Sequence, residues 1–543
     1  MTSDTRDYPL EERTIGHILR DKAKKSPDNI FLKHQGQLFT YAQCDLLTNQ
    51  YAHGLLAQGV KFGSHIAVLL PNCPEFFWTI WGLGKIGAVA VPINTASKGQ
   101  MLEYFLNHSD ATMLIVDDEF LNNVSAISDK LPKIEKIFYR GHKSLVDTGL
   151  LASGRTVQKL AVLEVAQTEA LPLDRVRYDD THLMMYTSGT TGPSKGVLSP
   201  HSQGHAVGRS LMRSFGYRST DVLYTCLPLF HGNAIWYTCY AALWADAAIA
   251  LSPRFSASRF WDEISSSGAT QFNTLGAMTN IIWKIAPGPQ DRNHQLRQCM
   301  TVPVPKEIYQ EMQDRYGVVL TSVYAMTENF AMTRFSPHDP PEKAGSAGKP
   351  GQDSLLRIVD DEHNILGPLQ VGEIWMKPLE PGSMMKGYYK MPEETLAEFE
   401  DGWFKTGDRG YLDHDNYLFF VDRKKEAIRR RGENISAYEV ELIISRHPAV
   451  LEVAAIPLPS ELSEDEVMVF VVLKPDETIS HAELLNFAIE HMNYFMVPRF
   501  IHFIDELPKT ASAKVEKYKL VKEAIAIRSE LWDREKEGFV VKR

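Results

Sequence analysis

Between Ile66 and Asn94 the chain switches period twice, and few architectures accept that pattern. IAVLLP is a short apolar run, PNCPEFFWTIWGLGKIG follows with Pro71 and Pro74 near a helix start, and AVAVPIN is a second apolar run. Phe76, Phe77, Ile80 and Leu83 supply one buried face, so a helix is predicted between two strands. Helical and strand signals alternate in this way over most of the first 330 residues, which predicts α/β layering. From Gly345 to Val421 the texture changes to short runs between Gly and Pro turns (GKPGQD, LGPLQVGE, LEPGSMMKGYY), predicting a small β-rich subdomain. The dense charge of DRKKEAIRRRGENIS then reads as an inter-domain hinge. Beyond it, YEVELIISR and AELLNFAIEHM read as helices, and VLEVAAIPL and EVMVFVVLK as strands of a separate α+β C-terminal domain.

At 543 residues, more than one folding unit is expected. A net charge of −10 argues against a general nucleic-acid binder, so an anionic ligand must meet local basic groups. The most apolar passage is interrupted by Lys85 and three glycines, so it reads as buried helix plus strand rather than a membrane span. The opening MTSDTRDYPLEER lacks the apolar stretch of a signal peptide. Five cysteines without a CxxC pair favour free thiols in a reducing compartment, and a cytoplasmic setting is expected.

Function is most legible in MMYTSGTTGPSKGV, Met184 to Val197, where an apolar strand enters a loop of Gly, Ser and Thr closed by Lys195. Glycines let successive N–H groups converge on an anion, hydroxyls add donors and the lysine adds charge. That is what holding a triphosphate requires. The order of residues is not the common P-loop, since Lys195 follows Ser194 and precedes Gly196. Two other patterns are weaker. Gly192-Pro-Ser194-Lys-Gly196 fits GxSxG, but its serine lies deep in a polar loop rather than at a strand-to-helix turn. Gly82-Leu-Gly84-Lys-Ile-Gly87 fits GxGxxG but follows a helix rather than a strand, so close helix packing explains it better. His201 and His205 have the spacing of helical zinc ligands without an HExxH, and a structural reading is preferred.

YTSGTTGPSKG resembles the signature loop of the acyl-adenylate-forming superfamily, within it the acyl-CoA synthetases. LPLFHGNA, VYAMTEN, GSAGKP, WFKTGDRG, DRKKEAIRRRGENIS and LPKTASAK resemble further motifs of that family in the same order. The DRNHQLR stretch is similar to that of ligases acting on carnitine-like acids. The resemblance implies a large N-terminal adenylation domain over 1–421, with layered α/β subdomains and a β-barrel-like part at 345–421. It also implies a hinge at 422–427 and a small mobile α+β domain over 428–543. The implied reaction is ATP-dependent: a carboxylic acid becomes its acyl-AMP, then passes its acyl group to the thiol of CoA. Delivery to a carrier protein is the alternative, and a homodimer is an assembly left open.

The resemblance also implies site residues. Thr187, Ser188, Gly189, Thr190, Thr191, Gly192 and Lys195 would hold the β- and γ-phosphates; Thr327 would touch the α-phosphate and Glu328 would hold Mg²⁺. Thr301, Val302, Tyr324, Ala325 and Met326 would surround the nucleotide, with Tyr324 against the adenine. Asp408 would accept from both ribose hydroxyls, and Arg423 would approach from the hinge side. His231 would lie near the carboxylate or α-phosphate, and Lys514 would bridge the two in the transition state. Asn233, Trp236, Tyr237, Gly276, Met278, Val323 and Ala325 would line the acyl pocket, whose aromatic character suits a bulky or cationic acid. Lys425 would be the hinge residue; Arg429, Arg430 and Arg431 would either meet CoA phosphates or form a solvated linker, and Gly432 and Glu433 would line the thiol tunnel. Three positions depart from the family pattern: Thr301 and Val302 replace small residues, Ala325 adds a methyl, and Ala513 replaces a glycine.

Overall fold

The computed structural model describes residues 7–142, 154–187, 194–329, 332–423, 428–430, 433–435, 437–460, 465–492, 496–509 and 515–541. The predicted strand–helix–strand is present as His65–Leu69, Pro74–Lys85 and Val89–Pro92, with the two strands parallel and Ile66 opposite Ala90. Pro74 opens the helix, where the missing N–H costs nothing. Every residue of that helix except Glu75 is buried, Lys85 included. Its ammonium is accepted by Asp45 (2.7 Å), Thr48 (2.6 Å) and Asn49 (2.8 Å), and burial pulls its pKa down to about 8. The glycines of GLGKIG serve packing, as expected: a Cβ on Gly82 would stand 3.2 Å from the Ala52 nitrogen of the neighbouring helix Tyr41–Ala57.

The chain divides into two compact units. The first contains Met1–Thr187, Ser194–Leu355 and Lys377–Phe399; the second contains Leu356–Met376 and Glu400–Arg543. In the first, one sheet runs Gly387–Tyr388, Gly196–Pro200, Thr181–Tyr186, Val89–Pro92, His65–Leu69, Met113–Asp117, Lys136–Arg140 and Thr156–Lys159. It is parallel from Thr181–Tyr186 to Thr156–Lys159, and antiparallel at the hairpin of Thr181–Tyr186 with Gly196–Pro200. The other large sheet contains four adjacent parallel strands, Val222–Thr225, Gln271–Leu275, Gln298–Val302 and Val319–Tyr324. The alternation read from the sequence is therefore a set of parallel strands linked by helices.

The Gly/Pro-punctuated segment forms a sheet of Ser354–Val359, Gly372–Pro378, Trp403–Leu412, Phe399–Glu400 and Leu418–Arg423. The C-terminal domain is a four-stranded sheet of Val450–Pro459, Asp465–Leu473, Phe500–Phe503 and Trp532–Asp533. Its strands alternate cleanly. Val467, Val469 and Val471 join one core with helices Ala437–Ile444 and His481–His491, while Met468, Phe470 and Val472 join another with helix Lys517–Ala526. Both faces are thus covered, which explains the unbroken apolar run VMVFVVL. No helix among the described residues is long and apolar enough to cross a membrane. All five cysteines are free and buried.

Candidate functional site

The four parallel strands end along one edge of their sheet, and each hands the chain to a candidate residue. Val222–Thr225 leads to His231, Gln271–Leu275 to Gly276 and Met278, Gln298–Val302 ends on Thr301 and Val302, and Val319–Tyr324 leads to Ala325–Glu328. The register aligns Leu275 with Val302 and Met300 with Thr321, so these ends lie side by side. Carboxyl ends of parallel strands are where open α/β sheets hold ligands, because loops there are spared from the ladder.

The His231 turn is held from below by Asn72. Its amide donates to the carbonyls of Leu227 (2.9 Å) and Ser252 (3.0 Å) and accepts from Leu229 N–H (2.9 Å). His231 is half-buried, and its Nδ1 accepts from Asn233 N–H at 3.3 Å. Sequence reasoning missed Asn72; a lone Asn beside Pro71 carries no spacing signal. Asn233, Trp236 and Tyr237 lie on a π-helix, Asn233–Tyr240, an uncommon element that recurs at functional sites. All three are buried, and Asn233 Oδ1 accepts from Asn273 at 3.1 Å. Met278 and Val323 are buried at the neighbouring strand ends.

Thr301, expected beside the nucleotide, has its side chain turned inward. It is fully buried, and its hydroxyl is engaged with Thr279 Oγ1 (2.8 Å) and the Pro303 carbonyl (3.1 Å). At this position backbone, not hydroxyl, is what a ligand could meet.

The phosphate-loop candidates Ser188, Gly189, Thr190, Thr191 and Gly192 lie outside the described residues, but the loop's two feet do not. Thr187 N–H donates to the Lys195 carbonyl (3.0 Å), and Lys195 N–H donates to the Thr187 hydroxyl (3.2 Å). Tyr104 OH donates to the Ser194 carbonyl at 2.9 Å. Ser194 leads into a strand rather than a helix, so the nucleophile-elbow reading has no structural basis.

Strand Gly387–Tyr388 adds to this hairpin with Tyr388 opposite Val197. The Tyr388 ring lies 4.2 Å beneath Lys195 Nζ, and its hydroxyl donates to Glu328 Oε1 at 2.9 Å. Burial, then the Glu328 and Glu398 carboxylates, push its phenol far above the ordinary range, so it remains a donor. Tyr388 therefore links the loop's lysine to the strand-end carboxylate. In the sequence Tyr388 sits in a turn-rich stretch, and no spacing rule marks it. Glu328 is itself buried, with its carbonyl accepting from Met385 N–H at 2.8 Å.

Asp408 and Arg423 belong to the second unit, where they are direct partners across strands Trp403–Leu412 and Leu418–Arg423. Asp408 is buried, and its N–H donates to Thr406 Oγ1 at 3.1 Å. Lys514, Ala513, Lys425, Arg431 and Gly432 lie outside the described residues. Lys509 and Val515 flank that lysine and form an antiparallel bridge. Arg429 and Glu433 lie on the short strands Ile428–Arg430 and Glu433–Ile435, paired respectively with Asn434 and Arg430.

Arg430 requires a correction. Expected to meet CoA, its side chain is 3% exposed and its Nε lies 2.5 Å from Glu466 Oε2, itself 5% exposed. A guanidinium so enclosed is part of the domain's interior. His201 and His205 are likewise interior: His201 stacks on His182 (4.5 Å, 4°) and His205 packs on Trp244 (4.5 Å). Burial holds both imidazoles well below their ordinary pKa, and no metal-holding cluster of His, Cys, Asp or Glu exists among the described residues.

Comparison with known proteins agrees with this geometry. The model of the AMP-binding enzyme family matches residues 19–389, and that of the AMP-binding enzyme C-terminal domain matches residues 439–514. The crotonobetaine/carnitine–CoA ligase of Salmonella heidelberg is 31% identical over 486 residues, which cover 89% of this chain and 93% of that protein. The structure of the anthranilate CoA ligase AuaEII in complex with anthranoyl-AMP superposes with a TM-score of 0.87 at 26% identity, covering 96% and 99% of the two chains. O-succinylbenzoate coenzyme A synthetase from Bacillus subtilis, in complex with ATP and magnesium ion, gives 0.79 at 26% identity, covering 93% and 98%.

Proposed function

The chain belongs to the AMP-binding enzyme family, and from that premise we propose that it is an AMP-forming acid–thiol ligase. A carboxylate oxygen attacks the α-phosphorus of ATP and pyrophosphate leaves; the thiol sulfur of CoA then attacks the acyl carbon and AMP leaves. The observation that carries this reading is the meeting of Lys195 and Glu328 on Tyr388, at the edge where the four parallel strands end. A triphosphate needs a cation and a hard oxygen ligand for its counter-ion at one place, and these two motifs, 133 residues apart in the chain, supply them.

Lys195 and the loop before it would neutralise the β- and γ-phosphates, while Thr327 would donate to the α-phosphate. Tyr324 would pack on the adenine, and Asp408 would orient the ribose with Arg423 beside it. Glu328, a buried carboxylate and so a hard oxygen ligand, fits Mg²⁺ and would hold it beside the nucleotide. When bound, the ion would offset negative charge on the leaving pyrophosphate. His231, braced by Asn72, would orient the acid, and the π-helix residues would set its size. Lys514 would deliver positive charge to the reacting oxygens. In the second half-reaction the domain over 428–543 would turn about a hinge at 422–427 containing Lys425, replacing Lys514 by a thiol path. A cytoplasmic setting suits the free thiols.

Acid-dependent exchange of labelled pyrophosphate into ATP tests the first step. Carnitine-like acids come first in the panel because of the 31% identical relative, and aromatic acids next because of the 26% identical anthranilate ligase. CoA-dependent thioester formation tests the second step; loading of a carrier protein instead of CoA would move the acceptor assignment. Lys514→Ala is expected to lower exchange roughly 10²–10³-fold while sparing thioester formation from supplied acyl-AMP. Equal loss in both would contradict the division of the steps.

A further inference from the structure

Lys195 is already engaged by an anion of the chain's own. Its Nζ lies 3.1 Å from Glu398 Oε1, with side-chain exposures of 33% and 31%. Glu398 directly follows the short helix Pro392–Ala397, which is tied back to strand Gly387–Tyr388 because Tyr388 N–H donates to Thr395 Oγ1 at 2.9 Å. Lysine, aromatic ring and carboxylate are therefore built as one group on one side of the hairpin. A carboxylate and a terminal phosphate are both oxyanions, and one ammonium at one site serves either better than both. The pair is partly exposed and made of two extended side chains, the class that exchanges partners at small cost.

We propose that Glu398 is an internal competitor for the terminal phosphate of ATP, holding Lys195 over Tyr388 until the nucleotide displaces it. This rests on the phosphate role given to Lys195 above. Tyr388 is then a positioning residue. Its ring keeps the ammonium on station in both states, and its hydroxyl fixes Glu328. Because the pair must be broken, the enzyme's discrimination between ATP and AMP is smaller than the phosphate loop alone would provide, and product pyrophosphate is released more readily.

The test uses the full-length protein, with direct binding of ATP and of AMP measured by calorimetry. Glu398→Gln is expected to tighten ATP and pyrophosphate binding about two- to fivefold, the range of a partly exposed ion pair, and to leave AMP unchanged. Glu394→Gln, which removes the same charge one helical turn earlier on an exposed position, should leave ATP affinity within error. Weaker ATP binding in Glu398→Gln would overturn the proposal by showing that the carboxylate supports the lysine. Equal shifts for ATP and AMP, or an equal effect of Glu394→Gln, would overturn it as a general field effect. Tyr388→Phe should retain ATP affinity at saturating Mg²⁺ but raise the Mg²⁺ concentration needed; loss of ATP affinity at saturating Mg²⁺ would overturn the separate roles of ring and hydroxyl. Binding requires no turnover, so a wild-type protein that binds ATP but exchanges no pyrophosphate would refute the ligase reading while leaving this one to be judged.

Discussion

Lys195–Glu398 and Arg430–Glu466 are both cation–carboxylate contacts, yet they occupy opposite surroundings. The first pair keeps about a third of each side chain in solvent beside the phosphate-loop feet. The second keeps 3% and 5%, and is buttressed by Arg499, which also grips Asp533 at 2.9 Å. Burial pushes the Asp533 carboxyl up, but hydrogen bonds from Arg499 and from Glu535 N–H outweigh that and hold it below its ordinary range. Water makes one pair exchangeable and its exclusion makes the other permanent. Charge alone therefore does not distinguish a ligand group from a structural one; access to solvent does.

The largest expected effect tests the buried side. Glu466→Gln removes the buried carboxylate that Arg430 and Arg499 share and should destabilise the C-terminal domain by about 3–5 kcal/mol in calorimetric unfolding. A loss below about 1 kcal/mol, the range of exposed pairs, would erase the contrast. On the exposed side, Lys195→Ala should reduce kcat/KM for ATP by about tenfold to a hundredfold, the worth of a charged hydrogen bond, with its melting temperature kept. A fall in stability instead of ATP use would place Lys195 among the structural cations.

A third experiment extends the comparison to buried histidines. Burial lowers the His182 pKa from 6.5 to about 4, with Nε2 bonded to the Ile80 carbonyl at 3.1 Å. The folded imidazole is neutral where the unfolded one is protonated, so the unfolded state binds more protons between about pH 4 and 6.5. Stability should therefore rise with pH across that window, by about 1.4 kcal/mol per pH unit for this group. Denaturant unfolding of His182→Gln should show a shallower slope than wild type, and an unchanged slope would count against the assignment. The smallest effect belongs to Glu398→Gln, whose unfolding free energy should stay within about 0.5 kcal/mol of wild type.

The order of motifs, the strand–helix–strand beginning at Ile66 and the apolar alternation of the C-terminal sheet were readable because each depends on neighbours within one element. Period two and period 3.6 are local properties of the backbone. The hydroxyl-rich loop was readable for a similar reason, since convergent N–H groups need glycine in sequence order. What Tyr388 and Glu398 do, by contrast, depends on partners 60 and 203 positions away. The same holds for Thr301, whose hydroxyl is turned into a chain of buried threonines, and for Arg430, which a basic run advertised as solvent-facing. Sequence by itself determined which chemical groups are present and which local shapes the backbone takes. Only the tertiary structure decided which of those groups keep contact with water, because burial is set by packing between distant segments, and burial decides whether a charge can be lent to a ligand.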